Sequence, residues 1–222
     1  MKAFYCHHFV LPLPDGHRFP MSKYERLHER IRDAAPALGI RLQEPPAASD
    51  ADLLRVHAPA YVQAMTDGSA DESLMRRIGF PWSQAMVERS RRSSGGTLMA
   101  LRSALEGEGV AVNLAGGTHH AGHARGGGYC VFNDAVVAAR HVQAHGLARR
   151  LLVVDLDVHH GNGTAELCAD DPSIFTFSMH AGRNYPAVKP DSDLDVALAD
   201  GTGDDAYLDA LARHLPEAID RA

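Results

Sequence analysis

Residues 151–163, which read LLVVDLDVHHGNG, decide the fold of this chain. The first seven are apolar except for two aspartates at the end, and a glycine-rich turn follows them. A short run that is apolar throughout is typical of a strand buried on both faces of a parallel sheet, because a strand with one wet face alternates polar and apolar residues. The stretch therefore predicts a buried strand over residues 151–157 that ends in polar side chains.

Two further runs of strand length and apolar character lie at residues 110–115 and 173–179. Helices are predicted over residues 133–145 and over residues 83–105, although Gly95-Gly96 weakens the second helix. Apolar strands separated by helices predict the α/β class, a three-layer α/β/α fold with a mainly parallel sheet. In such sheets functional residues collect beyond the carboxyl ends of the strands. The three runs end at GGTHH (116–120), DLDVHH (155–160) and SMH (178–180).

Composition limits the classes of protein to which the chain can belong. Its 222 residues are 45% hydrophobic, which suits one domain over residues 1–222. The net charge of −6 argues against a nucleic-acid surface, which needs a basic patch. No apolar run reaches the roughly 18 residues of a membrane span, and none after Met1 resembles a signal peptide. We therefore expect a cytoplasmic protein without nucleic-acid or membrane partners.

The residues after the central strand have the chemistry of a metal site. Asp155, Asp157 and His159 stand at alternate positions, so an extended backbone would project them to one side. Oxygen and nitrogen ligands without a thiolate suit Zn²⁺ or Fe²⁺. The three cysteines form no C-x-x-C pair, so no cysteine zinc cage is predicted. The RSRR cluster at residues 89–92 is interpreted as a solvated helix face.

The adjacent pair His119-His120 follows another predicted strand through two glycines. Amide hydrolysis at a metal needs one group to take a proton from the activated water and one to protonate the leaving amine. Imidazole pKa values suit both tasks. The two histidines are therefore candidates to divide the proton transfers.

Three motifs resemble, in order and spacing, those of the histone deacetylase family: GTHH (117–120), GGGYCVFND (126–134) and DLDVHHGNG (155–163). The opening LPLPDGHRFPM (11–21) and the later IGFPWS (78–83) are most similar to the class IV branch and its bacterial histone deacetylase-like amidohydrolases. The resemblance covers nearly the whole chain. It implies an arginase/deacetylase-like fold and a metal-dependent amidohydrolase that acts on acyl-lysine protein or an acylated small amine through a metal-activated water.

The resemblance also implies roles for the strand-end residues. Asp157 and His159 would be metal ligands, and Asp155 would orient His119. Asn162, which stands where other branches carry an aspartate, would orient His120. An amide accepts the imidazole N–H but supplies no charge, so it raises the histidine pKa less than a carboxylate does. We therefore predict that His120 is the general base and that His119, the more cationic of the two histidines, acts through its charge.

Two further groups of residues follow from the same resemblance. A narrow tube for the acyl-lysine side chain would be lined by Gly128, Tyr129 and Tyr185, although the last of these fits a core position equally well. A K⁺ or Na⁺ site would use backbone and side-chain oxygens of five residues, namely Asp155, Asp157, His159, Ser178 and Met179.

Two groups that the family pattern requires are not found in residues 1–222. They are a third metal-ligating aspartate and an oxyanion-stabilising tyrosine in a later glycine-rich loop. The predicted last helix, residues 204–222, has Leu208, Leu211, Leu215 and Ile219 on one stripe and is followed by no strand. We therefore expect a domain truncated before its last strands. Because catalytic zinc normally has three protein ligands, these 222 residues alone are expected to be inactive or nearly so.

Two alternatives remain open. One is a truncated, non-catalytic relative that binds acyl-lysine or a partner protein. The other is an arginase-type ureohydrolase with two metals, although that chemistry needs a bridging aspartate where His160 stands. The oligomeric state is left open.

Overall fold

The computed structural model describes the backbone of residues 1–222 and every side chain except that of Glu108. The strands are β1 (Lys2–Phe4), β2 (Arg41–Gln43), β3 (Ala111–Asn113), β4 (Leu151–Asp155), β5 (Ile174–Ala181) and β6 (Leu194–Leu198). The α-helices are α1 (Ser22–Leu38), α2 (Asp50–Leu53), α3 (Pro59–Asp67), α4 (Glu72–Ile78), α5 (Gln84–Ser103), α6 (Asp134–Ala144), α7 (Asn162–Cys168) and α8 (Asp204–Arg221). A 3₁₀ turn spans His7–Phe9 and a π-helical turn spans Ala104–Glu108.

The strands form two parallel three-stranded sheets, with the orders β2-β1-β3 and β4-β5-β6. Helices flank the strands, which confirms the predicted α/β class and three-layer α/β/α arrangement. The segment between β3 and α6 carries GTHH (117–120) and most of GGGYCVFND (126–134), and the turn after β4 carries most of DLDVHHGNG (155–163), whereas Ser178 and His180 lie inside β5. Among the described helices, none is long and apolar enough to cross a bilayer.

The predicted strands differ from the observed ones at their ends and in number. β4 stops at Asp155 instead of continuing to residue 157, and Val154 on it is exposed. The prediction that this strand is buried on both faces was therefore wrong. β6 was not predicted, because aspartate interrupts its apolar residues and the strand lies at a sheet edge, where two of its five positions are exposed.

The glycine pair inside α5 lies where the helix approaches two other segments. A Cβ on Gly95 would lie 2.0 Å from the carbonyl oxygen of Pro46, and one on Gly96 would lie 2.5 Å from Oδ1 of Asn113. The amide of Asn113 donates to the Ser93 carbonyl at 2.9 Å, which joins β3 to the helix. Close packing thus accounts for residues that otherwise weaken a helix by about 1 kcal/mol each.

The last helix, α8, packs against the second sheet through only part of its predicted stripe. Leu211 and Leu215 contact the apolar cluster around Phe177 and Met179. Leu208 and Ile219 are each 58% exposed. The single buried stripe expected from the sequence is therefore divided, because the sheet covers one side of the helix only.

Candidate active site

The loop that carries the two adjacent histidines is held by Asp134, the first residue of α6. Its buried carboxylate accepts hydrogen bonds from the backbone N–H of Thr118 at 2.7 Å, from the Thr118 hydroxyl at 2.6 Å and from the Gly117 N–H at 3.1 Å. The Thr97 hydroxyl donates to it at 2.5 Å. Four donors thus occupy the lone pairs of one buried carboxylate and fix the loop to the start of α6. Sequence reasoning missed this anchor, although its place at the start of a predicted helix was a signal.

His119 is paired with the aspartate that ends β4. Its Nδ1 lies 2.5 Å from Oδ2 of Asp155, and both side chains are mostly buried. Burial alone would lower the pKa of His119, but the hydrogen bond and charge of Asp155, together with the charge of Asp157, raise it above its ordinary value. The arrangement favours the imidazolium form.

His120 is paired with a neutral group instead. Its Nδ1 lies 2.7 Å from Oδ1 of Asn162, the first residue of α7. Burial, followed by the charge of neighbouring His119, lowers the pKa of His120 to about 4, and the bond to Asn162 opposes this only in part. The two imidazole rings lie 4.1 Å apart, so one site holds a cationic and a neutral histidine side by side.

Asp157 and His159 are brought together by a turn and not by strand alternation. The N–H of Asp157 donates to Asp155 Oδ1 at 3.0 Å, and the N–H of His159 donates to Asp157 Oδ1 at 2.8 Å. These bonds curl the chain after β4, which corrects the expectation of an extended backbone through these positions. As a result His159 Nδ1 lies 2.9 Å from Asp157 Oδ1.

The pair has the donor set of a divalent-metal site. A carboxylate oxygen and an imidazole nitrogen 2.9 Å apart, both half-exposed, match two neighbouring ligands of one Zn²⁺ or Fe²⁺. Burial raises the pKa of Asp157, but the His159 N–H and the charges of His119 and His159 lower it further, so the carboxylate is charged. Within the described side chains, no further His, Cys, Asp or Glu joins this pair in a group of three with metal-binding spacing.

A cavity of about 560 Å³ opens beside these residues. It is lined by both histidines of the adjacent pair, by the candidate ligands and by all three predicted tube residues, namely His119, His120, Asp157, His159, Gly128, Tyr129 and Tyr185. Asp155 and Asn162 are not part of its lining and lie behind the histidines that they contact.

The tube residues approach the histidines closely. A Cβ on Gly128, which has φ +52°, would lie 2.5 Å from the ring of His120, so only glycine fits there. Tyr129 has φ 66°, a strained conformation for a tyrosine, and its ring packs on Phe80. The ring of Tyr185 stands at 89° to that of His120, with centroids 4.8 Å apart. The structure therefore places Tyr185 at the cavity and not in the core.

Arg89 also lines the cavity with a positive charge, and its interpretation from the sequence was wrong. Arg89, interpreted as part of a solvated face, is 4% exposed. Its guanidinium donates to the Phe9 carbonyl at 3.1 Å and to the Tyr24 hydroxyl at 2.9 Å. The spacing of Arg89 from Met86 and Ser93 could have indicated its burial, because these three positions share one face of the helix. All three are buried.

The five residues predicted for a monovalent cation lie at the end of β4, in the turn after it and in the second half of β5. Asp155 and Ser178 are register partners across the two strands. The Ser178 hydroxyl lies 3.0 Å from Nδ1 of His180, and the side chain of Met179 is buried in the apolar cluster, so this residue offers only its backbone oxygen. The cation site stays a prediction.

Comparison with known proteins shows what the chain is similar to. Residues 17–222 match the model of the histone deacetylase domain. An uncharacterized protein of Picosynechococcus sp. is 45% identical over 211 residues, which cover 95% of this chain and 70% of that protein. Histone deacetylase 2 of Arabidopsis thaliana is 30% identical over 93% of this chain and 54% of its own length. The polyamine deacetylase HDAC10 of Homo sapiens is 37% identical over 70% of this chain and 25% of its own length.

Proposed function

The chain belongs to the histone deacetylase family, and from that premise we propose that it is a zinc-dependent deacylase. It hydrolyses the amide of an N-acyl-lysine side chain, or of a related acylated amine, with water as the nucleophile. One observation supports this above the others: two adjacent imidazoles, one paired with a carboxylate and one with an amide, line the same cavity as a carboxylate–imidazole pair.

The neutral histidine acts as the general base. Because Nδ1 of His120 donates its proton to Asn162 Oδ1, the lone pair at Nε2 is free to accept a proton from the attacking water. The imidazolium formed in this way then returns the proton to the nitrogen of the leaving amine. The low pKa of His120 keeps the base unprotonated at neutral pH.

The cationic histidine acts through its charge. Asp155 holds the Nδ1 proton of His119 and stabilises the imidazolium form. The ring of His119 lies 4.1 Å from that of His120, beside the position of the reacting amide. The positive charge of His119 therefore stabilises the negative charge that develops on this amide. Tyr129 and Tyr185 position the acyl-lysine side chain in the cavity and exclude water from it.

Asp157 and His159 would hold the metal. When bound there, Zn²⁺ supplies Lewis-acid activation of water and of the scissile carbonyl. Catalytic zinc normally takes three protein ligands, and these two residues would supply two of them. K⁺ or Na⁺ near the ends of β4 and β5 is part of the same proposal.

The test measures hydrolysis of a fluorogenic acetyl-lysine peptide and of an N-acetylated polyamine. It uses the protein as its gene encodes it. Chelator should abolish the rate and Zn²⁺ should restore it. His120→Ala should lower kcat by about 100- to 10,000-fold at unchanged zinc content, whereas His214→Ala on exposed α8 should not. Near-normal turnover in His120→Ala would contradict the proposal.

A second candidate is a non-catalytic module that binds acyl-lysine. It is favoured by one observation, that the described side chains provide two ligands at the cavity and not three. Binding of the acetylated peptide by the gene-encoded protein without zinc or turnover would support it. The arginase-type alternative has no such support, because His160 faces Asp195 and His180 and no bridging carboxylate stands in its place.

A further inference from the structure

A second group of metal-ligating side chains lies at the carboxyl edge of the second sheet. Ser178 on β5 is the register partner of Asp155 on β4 and of Asp195 on β6. Register partners in a parallel sheet project to the same face, and so does a residue two positions further along. His180 therefore shares a face with Asp195. His160, in the turn after β4, completes what we call the His160 cluster, namely His160, His180 and Asp195.

The three side chains are close enough to share one ion. One ligand atom from each can be chosen so that all lie within 4.8 Å of one another. His160 Nε2 is 3.2 Å from Asp195 Oδ1, and the rings of His160 and His180 are 4.6 Å apart and nearly perpendicular. Ligands of a four-coordinate zinc are separated by roughly 3.3 Å, so closing the cluster on an ion needs side-chain shifts on the order of 1 Å.

The protein's own hydrogen bonds leave this cluster incomplete. The side chain of His160 is 1% exposed, yet its Nδ1 has no hydrogen-bond partner among the described residues. Its Nε2 has only the 3.2 Å contact to Asp195 and a 3.5 Å contact to the Ser192 hydroxyl. Buried ring nitrogens are nearly always partnered, so His160 is under-satisfied by the protein alone.

We propose that the His160 cluster is a second divalent-metal site, which binds Zn²⁺ through two imidazoles and one carboxylate. It shares no residue with the Asp157–His159 pair and does not rest on the proposed deacylase activity. Two nitrogens and one oxygen without a thiolate suit Zn²⁺. The Asp195 side chain is 29% exposed, so the ion enters from solvent and keeps a water in its fourth position.

Bound there, the ion links three segments of the chain. His160 follows β4, His180 lies in β5 and Asp195 lies in β6. An ion held by all three binds the folded chain and not the unfolded chain, so it stabilises the second sheet. The alternative is an ordinary hydrogen-bond network, in which Asp195 also accepts from the Ser192 N–H at 2.8 Å and His180 contacts Ser178.

The test counts Zn²⁺ bound to the protein as its gene encodes it, by titration with the metal alone. The background is His159→Ala, which removes one ligand of the first pair. The His159→Ala protein should still bind one equivalent of Zn²⁺. The midpoint temperature of its thermal unfolding should rise when Zn²⁺ is added. Adding Asp195→Asn should weaken that equivalent by at least ~100-fold, since loss of an outer-shell partner alone typically costs 10- to 100-fold.

Matched controls separate ligand loss from a general charge effect. Asp191→Asn removes a neighbouring exposed carboxylate, and His8→Gln removes an exposed histidine in the 3₁₀ turn. Both should leave the zinc equivalent and the midpoint rise unchanged. Equal zinc affinity in the Asp195→Asn protein and its background would overturn the proposal.

A second measurement needs no substitution in the cluster. In the unaltered chain, ring ¹⁵N resonances of the histidines are followed during zinc titration. Ligand nitrogens of His160 and His180 should shift together and saturate with one equivalent. If only the His159 ring responds, the cluster is a hydrogen-bond network and not a metal site. This outcome would leave the proposed deacylase function intact.

Discussion

His120 Nδ1 lies 2.7 Å from the amide oxygen of Asn162, while the adjacent His119 Nδ1 lies 2.5 Å from a carboxylate oxygen of Asp155. Two neighbouring imidazoles thus have partners of different charge. The pKa of His120 is lowered to about 4, with burial as the largest cause, and the pKa of His119 is raised by its carboxylate against the effect of burial. The charge of the partner decides which histidine is neutral.

Asn162→Asp should raise the pKa of His120 by about 1–3 units, because a carboxylate stabilises the imidazolium form. The pKa is measured by following the His120 ring resonance against pH in the metal-free chain. Asn184→Asp, which adds the same charge at an exposed position, should leave it within about half a unit. An unchanged pKa in Asn162→Asp would show that the amide contact does not control the base.

His57 should make stability depend on pH. Burial is the largest cause that lowers its pKa from 6.5 to about 4 in the folded chain. The unfolded chain therefore binds the proton more tightly, so stability is full above pH 6.5 and is lost as pH falls toward 4. The loss from this residue is about 3 kcal/mol. Urea unfolding of His57→Gln should show a flatter pH dependence, whereas His8→Gln, at an exposed position, should retain the original slope.

Gly95→Ala should destabilise the chain although alanine favours helices. The new Cβ would lie 2.0 Å from the backbone carbonyl oxygen of Pro46, and that clash outweighs a helix-propensity gain of about 1 kcal/mol. We expect a net loss of about 2 kcal/mol or more in the free energy of unfolding. Gln84→Ala, at the exposed start of the same helix, should change it by less than about 0.5 kcal/mol. A gain in stability for Gly95→Ala would contradict the observed packing.

Tyr185→Ala should weaken substrate binding in the gene-encoded protein. The tyrosine ring stands against His120, and its centroid is 6.0 Å from that of His159. Loss of this aromatic wall should raise KM about tenfold, equivalent to ~1.4 kcal/mol, with a smaller change in kcat. Tyr185→Phe retains the ring and should keep KM within about twofold of the unaltered protein. Equal KM values for the alanine and phenylalanine variants would show that the ring of Tyr185 does not contribute to substrate binding.

Local patterns were sufficient for the fold class and for the candidate residues. The apolar runs predicted that β4 and β5 are strands, although only β5 is buried along most of its length. The polar residues at the ends of these runs marked the site, because parallel strands deliver their carboxyl ends to one edge. The order of the motifs was sufficient for the family. None of these inferences needed contacts between distant residues.

Tertiary structure alone decided where the side chains meet. Asp157 and His159 converge through hydrogen bonds in a turn, and Arg89 is buried because α5 packs against the segment near Phe9. His180 and Asp195 share a face because β5 and β6 pair in a particular register, and His160 contacts Asp195 from the turn after β4. Periodicity is a property of a few consecutive residues, whereas register and packing depend on segments far apart in the chain. The sequence by itself therefore determined which groups are present, and the packed sheets determined which of them touch.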